Sequence, residues 1–477
     1  MRHRLYTTLA TAAVLAGCGG SGNVPKPVGP IPTKQQVEWQ KMEMNMFCHF
    51  GPNTFTGREW GLGNETEDIF NPTDLDCRQW TSVAKSAGFK GIILTAKHHD
   101  GFCLWPNPES RHTVAQSPWR DGKGDVLKDL SEACAADGLK FGIYISPWDR
   151  NDPHYGSPAY NDVYARTLES AHTGYGDVFE QWFDGANGEG PAGKHQDYDW
   201  DRFHQTVLAI HPDAIMFSDI GPGCRWVGNE HGTAGETSWS LLDTAGFAPG
   251  AGAPDRDTLN IGNVDGACWI PPETDVSIRP GWFWRESEND KVKSLDELLD
   301  IYYSSVGRNS LLLLNVPPDT TGRINAADSS RLMEFKDALD RIFSADLAKN
   351  AKARASATRG SRFKAANMTD GDYETFWAAP DGITDATVTF FLDGEKTFNR
   401  IMLQEYVPLG QRVSSFSVEV RGTNGEWQTA ATGTTVGYKR ILLVDTVTTK
   451  AVRIHITGAK ACPVLNGFGL FMDTIKG

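Results

Sequence analysis

From Glu38 onward, short apolar runs alternate with amphipathic stretches, and this alternation restricts the fold more than any other feature of the chain. Strands covered on both faces read as continuous apolar runs, and joining two of them in parallel requires a crossover, usually a helix. The strand candidates are MNMFCHFG, FKGIILTAK, LKFGIYIS, DVFEQWFDG, AIMFSD, GWFW and SLLLLNVP. Between them, DLDCRQWTSVAKSAG and GDVLKDLSEACAADG read as helices with an acidic start and a glycine stop. A glycine followed by FK or LK leads into a strand at both Gly88 and Gly138, as repeated units would require. The β-then-α order predicts an α/β fold, a TIM-like (β/α) barrel. Such a barrel absorbs about 250 residues or more as one unit. A chain of 477 residues therefore needs a second, smaller domain.

That second domain begins where the texture changes, near residue 345. The segment Asp328 to Lys349 reads as a helix that closes the barrel. Beyond it, ATVTFFLDG, FNRIMLQEY, SFSVEVRG and AVRIHITG alternate as antiparallel strands do, which predicts a β-sandwich. The expected division is a barrel over 34–345 and a smaller antiparallel β-sandwich over 346–477. Residues 1–33 open with two arginines and an apolar run of about a dozen residues, too short to span a bilayer, which reads as an export signal. LAGC at Leu15–Cys18 resembles the lipobox of bacterial lipoproteins. The resemblance implies a lipid on Cys18, a place in the bacterial cell envelope, and membrane contact through that anchor alone. Gly19 to Pro32, rich in Gly, Ser and Pro, reads as a tether rather than structure. The seven remaining cysteines include no CxxC pair, and an odd, scattered set suggests buried thiols rather than a disulfide framework.

A formal charge of −14 and a pI near 5.3 exclude nucleic acid as a partner through a basic surface, and point to neutral ligands. Fifteen Trp, 12 Tyr and 23 Phe supply flat faces suited to stacking on sugar rings. Barrel enzymes work where strands end, on the C-terminal face. Asp184 lies there, after DVFEQWF, and GANGEG after it can bring backbone close to a ligand because glycine tolerates positive φ. Forty-six residues later, past AIMFSD, Glu230 lies on a loop over the same face, with Glu236 as the rival acid. Two carboxylates flanking a glycosidic bond support retaining hydrolysis. His49, His98 and His99 also sit at strand ends. With an acid they suit zinc, as in a metal-dependent barrel hydrolase. Neighbouring strand residues face opposite ways, however, so His98 and His99 should not share one coordination sphere. Neutral imidazoles suit sugar hydroxyls better.

Taken together, HFGPNTFTGREWG, FNPTDLD, AGFKGIILTAKHHDGFCLWP, FGIYISPWDR, WFDGANGEGP and RWVGNE resemble the α-L-fucosidases of glycoside hydrolase family 29 over residues 34–345. RWVGNE and the early REWG are similar to the subfamily acting on α-1,3 and α-1,4-linked fucose in branched, Lewis-type glycans. The resemblance implies Asp184 as nucleophile and Glu230 as general acid/base, with a covalent fucosyl-enzyme and no cofactor or metal. It implies that His49, Glu59, Trp60, His98 and His99 hold the sugar ring, that Tyr144 and Trp182 form the pocket wall, and that the Trp282/Trp284 pair meets the fucose methyl group. Trp182 and Trp226 are placed to desolvate the acids. MTDGDYETFWAA and the strands after it resemble discoidin-like modules, many of which bind carbohydrate and many of which only brace a neighbour. The alternative reading is a surface glycan-binding lipoprotein whose barrel has lost activity. Nothing in the sequence fixes the oligomeric state.

Overall fold

The computed structural model describes residues 23–475, so the export segment and Cys18 lie outside the described residues. Eight strands close into a parallel barrel: β1 Met44–Cys48, β2 Gly91–Lys97, β3 Lys140–Ile145, β4 Val178–Trp182, β5 Ile215–Ser218, β6 Cys224–Trp226, β7 Pro272–Ser277 and β8 Leu311–Asn315. Around the ring the order is β1-β8-β7-β6-β5-β4-β3-β2. Six of the seven apolar runs contain one of these strands. GWFW does not: Gly281 to Phe283 form bends beyond the end of β7, and Trp284 follows them in irregular chain. The strand that precedes them is PETDVS, whose buried acids Glu273 and Asp275 make it look like a loop in sequence. β6 is only three residues long and lies in a stretch that reads as loop.

Side chains divide along each strand with period two. Phe47, Ile93, Tyr144, Trp182, Phe217 and Leu313 fill the barrel interior. Met46, Ile92, Leu94, Ile143, Leu312 and Leu314 pack outward with the crossover helices. The helices start and stop as their ends dictate. Asp76 caps Cys77–Ser86 by accepting from two backbone N–H groups, and Asp125 caps Val126–Asp137. Gly138 ends the latter at φ 72°, a left-handed conformation that glycine adopts without strain. Helix Lys34–Met42, opened by the Thr33/Gln36 capping box, places Trp39 in the barrel interior, where its indole donates to Glu180 at 2.8 Å. The helix expected over 328–349 runs Ala326–Phe343.

The C-terminal domain is an antiparallel sandwich built on two twenty-residue strands, Ala386–Glu405 and Arg440–Ala459, paired through two register shifts. Its core is separate from that of the barrel. The two domains are joined by apolar contacts, Phe343 on Phe471 and Trp239 and Trp269 with Val407 and Tyr438, and by polar ones: Tyr303 donates to Asp473 at 2.9 Å, Asn309 accepts from the Tyr438 backbone at 2.7 Å, and Gln411 donates to Ser238 at 2.8 Å. The described part of the expected tether is strapped to the sandwich. Arg359 and Arg412 donate to the carbonyls of Asn23 and Lys26, and the Val28 N–H bonds the Leu409 carbonyl at 3.1 Å. Residues 23–28 therefore belong to the folded body. They carry no helix or strand pattern because their backbone bonds a distant loop rather than a neighbour. The seven cysteines are free, six of them buried.

Candidate active site

The ends of β1, β2, β3, β4 and the loops after β6 and β7 converge on an open cavity of about 400 Å³ including its mouth. Its wall includes Phe47, His49, Glu59, Trp60, His98, His99, Tyr144, Trp182, Asp184, Glu230, Asp275 and Trp282. Asp184 lies two residues past β4. Its Oδ2 accepts from the Tyr144 hydroxyl at 2.8 Å and its Oδ1 from the Ala186 N–H at 2.7 Å. The glycines after it are not there for positive φ; none of Gly185, Gly188 or Gly190 adopts it. They are there for close packing: a Cβ on Gly185 would lie 2.4 Å from Asp219, one on Gly188 2.1 Å from Trp148, and one on Gly190 2.3 Å from Tyr155. The loop is pressed against its neighbours, and that holds Asp184 in place.

Hydrogen bonds fix the protonation of two histidines. Asn315 Nδ2 donates to the Trp282 carbonyl at 2.8 Å, so its Oδ1 accepts from the His49 backbone N–H at 3.1 Å and from His49 Nδ1 at 2.9 Å. His49 thus carries its proton on Nδ1. Ser146 donates to the Trp148 carbonyl at 2.9 Å and so accepts from His99 Nδ1 at 2.7 Å. That leaves His99 Nε2 as a bare acceptor 3.7 Å from Asp184 Oδ2. Burial lowers both imidazoles, His49 to about 3 and His99 to about 4, and pushes His98 down as well. All three are neutral at neutral pH. His98 and His99 both reach the cavity, against the expectation that they diverge, because β2 ends at Lys97 and the pair sits on the turn beyond it. Lys97 clamps that turn through a buried ion pair with Asp149 at 3.0 Å.

Glu230 stands exposed at the mouth, with Trp282 Nε1 donating to its Oε2 at 3.3 Å. Surrounding protein raises its carboxyl above the ordinary range, the Trp282 bond works the other way, and the charge of Asp184 raises it further. Its loop is tied down from below: fully buried Arg225 on β6 donates to the carbonyls of Leu259, Ile270 and Trp239, and Asn260 donates to Val227 and Thr233. Glu236, the rival acid, is not on the cavity wall; it is exposed and pairs with Arg308 at 3.5 Å. Glu59 accepts from the Trp282 backbone at 3.0 Å and pairs with Arg285 at 2.9 Å, fixing where the Trp282 ring sits. Trp60 is 60% exposed and borders the mouth.

Trp284 does not share the cavity. It faces a separate groove with Thr54, Phe55 and Arg285, with Arg279 over its ring at 6.0 Å. The two tryptophans separate because they lie on a bend, not on one side of a strand. Phe283 between them is buried against His49 and His98. Trp226 sits beside the cavity, its indole donating to Asp275 at 2.9 Å. Among the described residues, the one grouping with metal-ligand spacing is Glu180, Cys224 and Glu273, inside the barrel rather than in the cavity. There Trp39 and Trp182 already donate to the two carboxyls, at 2.8 and 2.9 Å.

A parallel barrel carrying two unlike carboxyls and a ring of aromatics and neutral imidazoles at its C-terminal face is the architecture of a glycoside hydrolase. The family model for α-L-fucosidase matches residues 28–341, and that for the F5/8 type C domain matches residues 352–466. α-L-Fucosidase 1 of Arabidopsis thaliana is 42% identical over 459 residues, covering 95% of this chain and 90% of its own. Two of the solved structures that match cover nearly all of this chain. A Ruminococcus gnavus family 29 fucosidase in complex with fucose superposes with a TM-score of 0.87 at 32% identity, covering 96% of this chain and 98% of its own. A glycoside hydrolase family 29 member from an unknown rumen bacterium gives 0.83 at 40%, covering 94% and 78%. The chain belongs to the α-L-fucosidases of glycoside hydrolase family 29, with a C-terminal F5/8 type C, discoidin-like domain.

Proposed function

We propose that this enzyme is an exo-acting, retaining α-L-fucosidase that removes terminal α-1,3- or α-1,4-linked fucose from branched, Lewis-type glycans. The observation that carries the reading is that Asp184 and Glu230 border one cavity in unlike surroundings. Asp184 is held by a phenol and a backbone N–H, whereas the Glu230 carboxyl is raised toward its protonated form. Asp184 attacks the anomeric carbon as the glycosidic C–O bond breaks, and Glu230 gives its proton to the departing oxygen. Glu230 then takes a proton from water, whose oxygen displaces Asp184 and releases L-fucose with its configuration retained. His49 and His99 accept from sugar hydroxyls through Nε2. Phe47 and Trp282 offer apolar surface to the methyl group. No step requires a metal.

The test is to incubate the protein with α-1,2, α-1,3, α-1,4 and α-1,6-fucosylated oligosaccharides and to follow the released sugar by proton NMR. Cleavage confined to α-1,3 and α-1,4 linkages, with the α anomer appearing first, fits the proposal. Release mainly from α-1,2 linkages contradicts the linkage assignment, and first appearance of the β anomer contradicts the mechanism. Binding without product would favour a glycan-binding lipoprotein instead. We also propose that Cys18 anchors the enzyme in the cell envelope, so that Cys18→Ala moves it from the membrane to the soluble fraction.

A further inference from the structure

Asp275 is a cavity-lining carboxyl that the motif reading passed over and the proposed reaction does not use. It lies two residues beyond Glu273 on β7, so both side chains fall on the same face of the strand. Glu273 accepts from Trp182 inside the barrel, while Asp275 reaches the wall of the cavity that Asp184 and Glu230 share. It is 2% exposed, and one of its oxygens, Oδ1, accepts from Trp226 at 2.9 Å. Among the described residues, no lysine or arginine lines the cavity to balance a further negative charge. Burial first, then the charge of Glu230 and that of Asp184, holds the Asp275 carboxyl well above the ordinary range.

Among the described residues, most donors on the rest of the wall are already engaged, neutral His98 keeping one uncommitted N–H. The Tyr144 hydroxyl is engaged on Asp184, the Trp182 indole on Glu273 and the Trp282 indole on Glu230. His49 and His99 have their Nδ1 protons committed and present acceptors, and Glu59 and Asp184 are acceptors too. A sugar hydroxyl both donates and accepts, so a wall richer in acceptors than in free donors has use for a further O–H. A carboxylic acid kept uncharged by its surroundings has one O–H to give. We propose that Asp275 is a further sugar-binding residue that works protonated, donating its carboxyl O–H to an oxygen of the bound fucose ring. This rests on Asp184 and Glu230 being the reacting pair.

The test compares Asp275→Asn with Asp275→Leu on an aryl α-L-fucoside and its monodeoxy analogues. The amide keeps an oxygen for Trp226 and an N–H for the sugar, whereas leucine removes both. Loss of a hydrogen bond that leaves a buried partner unmatched predicts that Asp275→Leu lowers kcat/KM about 10- to 100-fold and that Asp275→Asn recovers most of it. For one deoxy sugar the leucine substitution should cost little further, identifying the partner hydroxyl. If Asp275→Asn falls as far as Asp275→Leu while its melting temperature matches wild type, the anion is what matters and the proposal is overturned. The absence of any coupled hydroxyl overturns it as well. Should Asp184→Ala retain turnover, the reacting pair is wrong instead, and calorimetric binding of fucose and its deoxy analogues to the Asp275 variants still decides the donor role.

Discussion

Glu180 and Asp184 sit four residues apart on one strand and its exit, and each is coupled to a second acid from across the barrel. Glu180 meets Glu273 in the buried barrel interior, where Trp39 and Trp182 each donate to one of the two carboxyls and burial raises both. Asp184 shares an open cavity with Glu230, and the two acids have different partners. Residue type is nearly the same in the two places. What separates them is access. The two buried acids hold Trp39 and Trp182 inside the barrel, whereas two unlike acids around an open cavity can divide the roles of nucleophile and proton donor.

The largest expected effect breaks the open pair. Asp184→Ala should lower kcat on an aryl α-L-fucoside by about 10⁴-fold or more, since a lost nucleophile removes the covalent route. Next, Glu230→Ala should slow cleavage of oligosaccharides by about 10²- to 10⁴-fold, and spare substrates whose leaving group needs no proton, as paired kcat measurements would reveal. The same raised carboxyl sets the pH profile: oligosaccharide kcat/KM should fall on the alkaline side as Glu230 loses its proton, at a pH above the ordinary glutamate range, and Glu230→Gln should erase that limb. The closed pair should reveal itself in stability instead. Glu180 is raised from 4.5 to about 7 in the folded state, so the fold binds more protons than the unfolded chain between those values. Stability from Glu180 is full at low pH and is lost as pH rises through about 7. Melting curves of Glu180→Gln should lack that slope. The smallest effect is that of a chelator such as EDTA, which should leave activity unchanged.

How much of this was legible in the sequence follows the same division. β1 to β5 and β8 announce themselves because their residues are mostly apolar, the buried Glu180 and Gln181 of β4 being flanked by Val178, Phe179, Trp182 and Phe183. β7 does not, because Glu273 and Asp275 point into the barrel and break the apolar run, and the conspicuous GWFW just beyond reads as the strand in its place. That error placed Trp282 and Trp284 on one side of a strand, when a bend sends them to different cavities. Asp184 was readable because an acid directly after an apolar run marks a strand end. Glu230 came from its motif, and its position depends on Arg225, a buried cation whose three carbonyl partners lie 14 to 45 residues away in sequence. Asp275 carried no signal at all, since its meaning comes from Trp226 and from acids on other strands. The strap at residues 23–28 was likewise hidden, its partners being some 330 to 390 residues distant.

The account stands on one bond, between the Asp184 carboxylate and the anomeric carbon of fucose. A slow 2-fluoro-substituted fucosyl donor, which accumulates the intermediate, followed by proteolysis and mass spectrometry, reads that bond directly. The sugar should be found esterified to the peptide containing Asp184. A label on a different carboxylate, or turnover with no labelled peptide and inverted product, would contradict it.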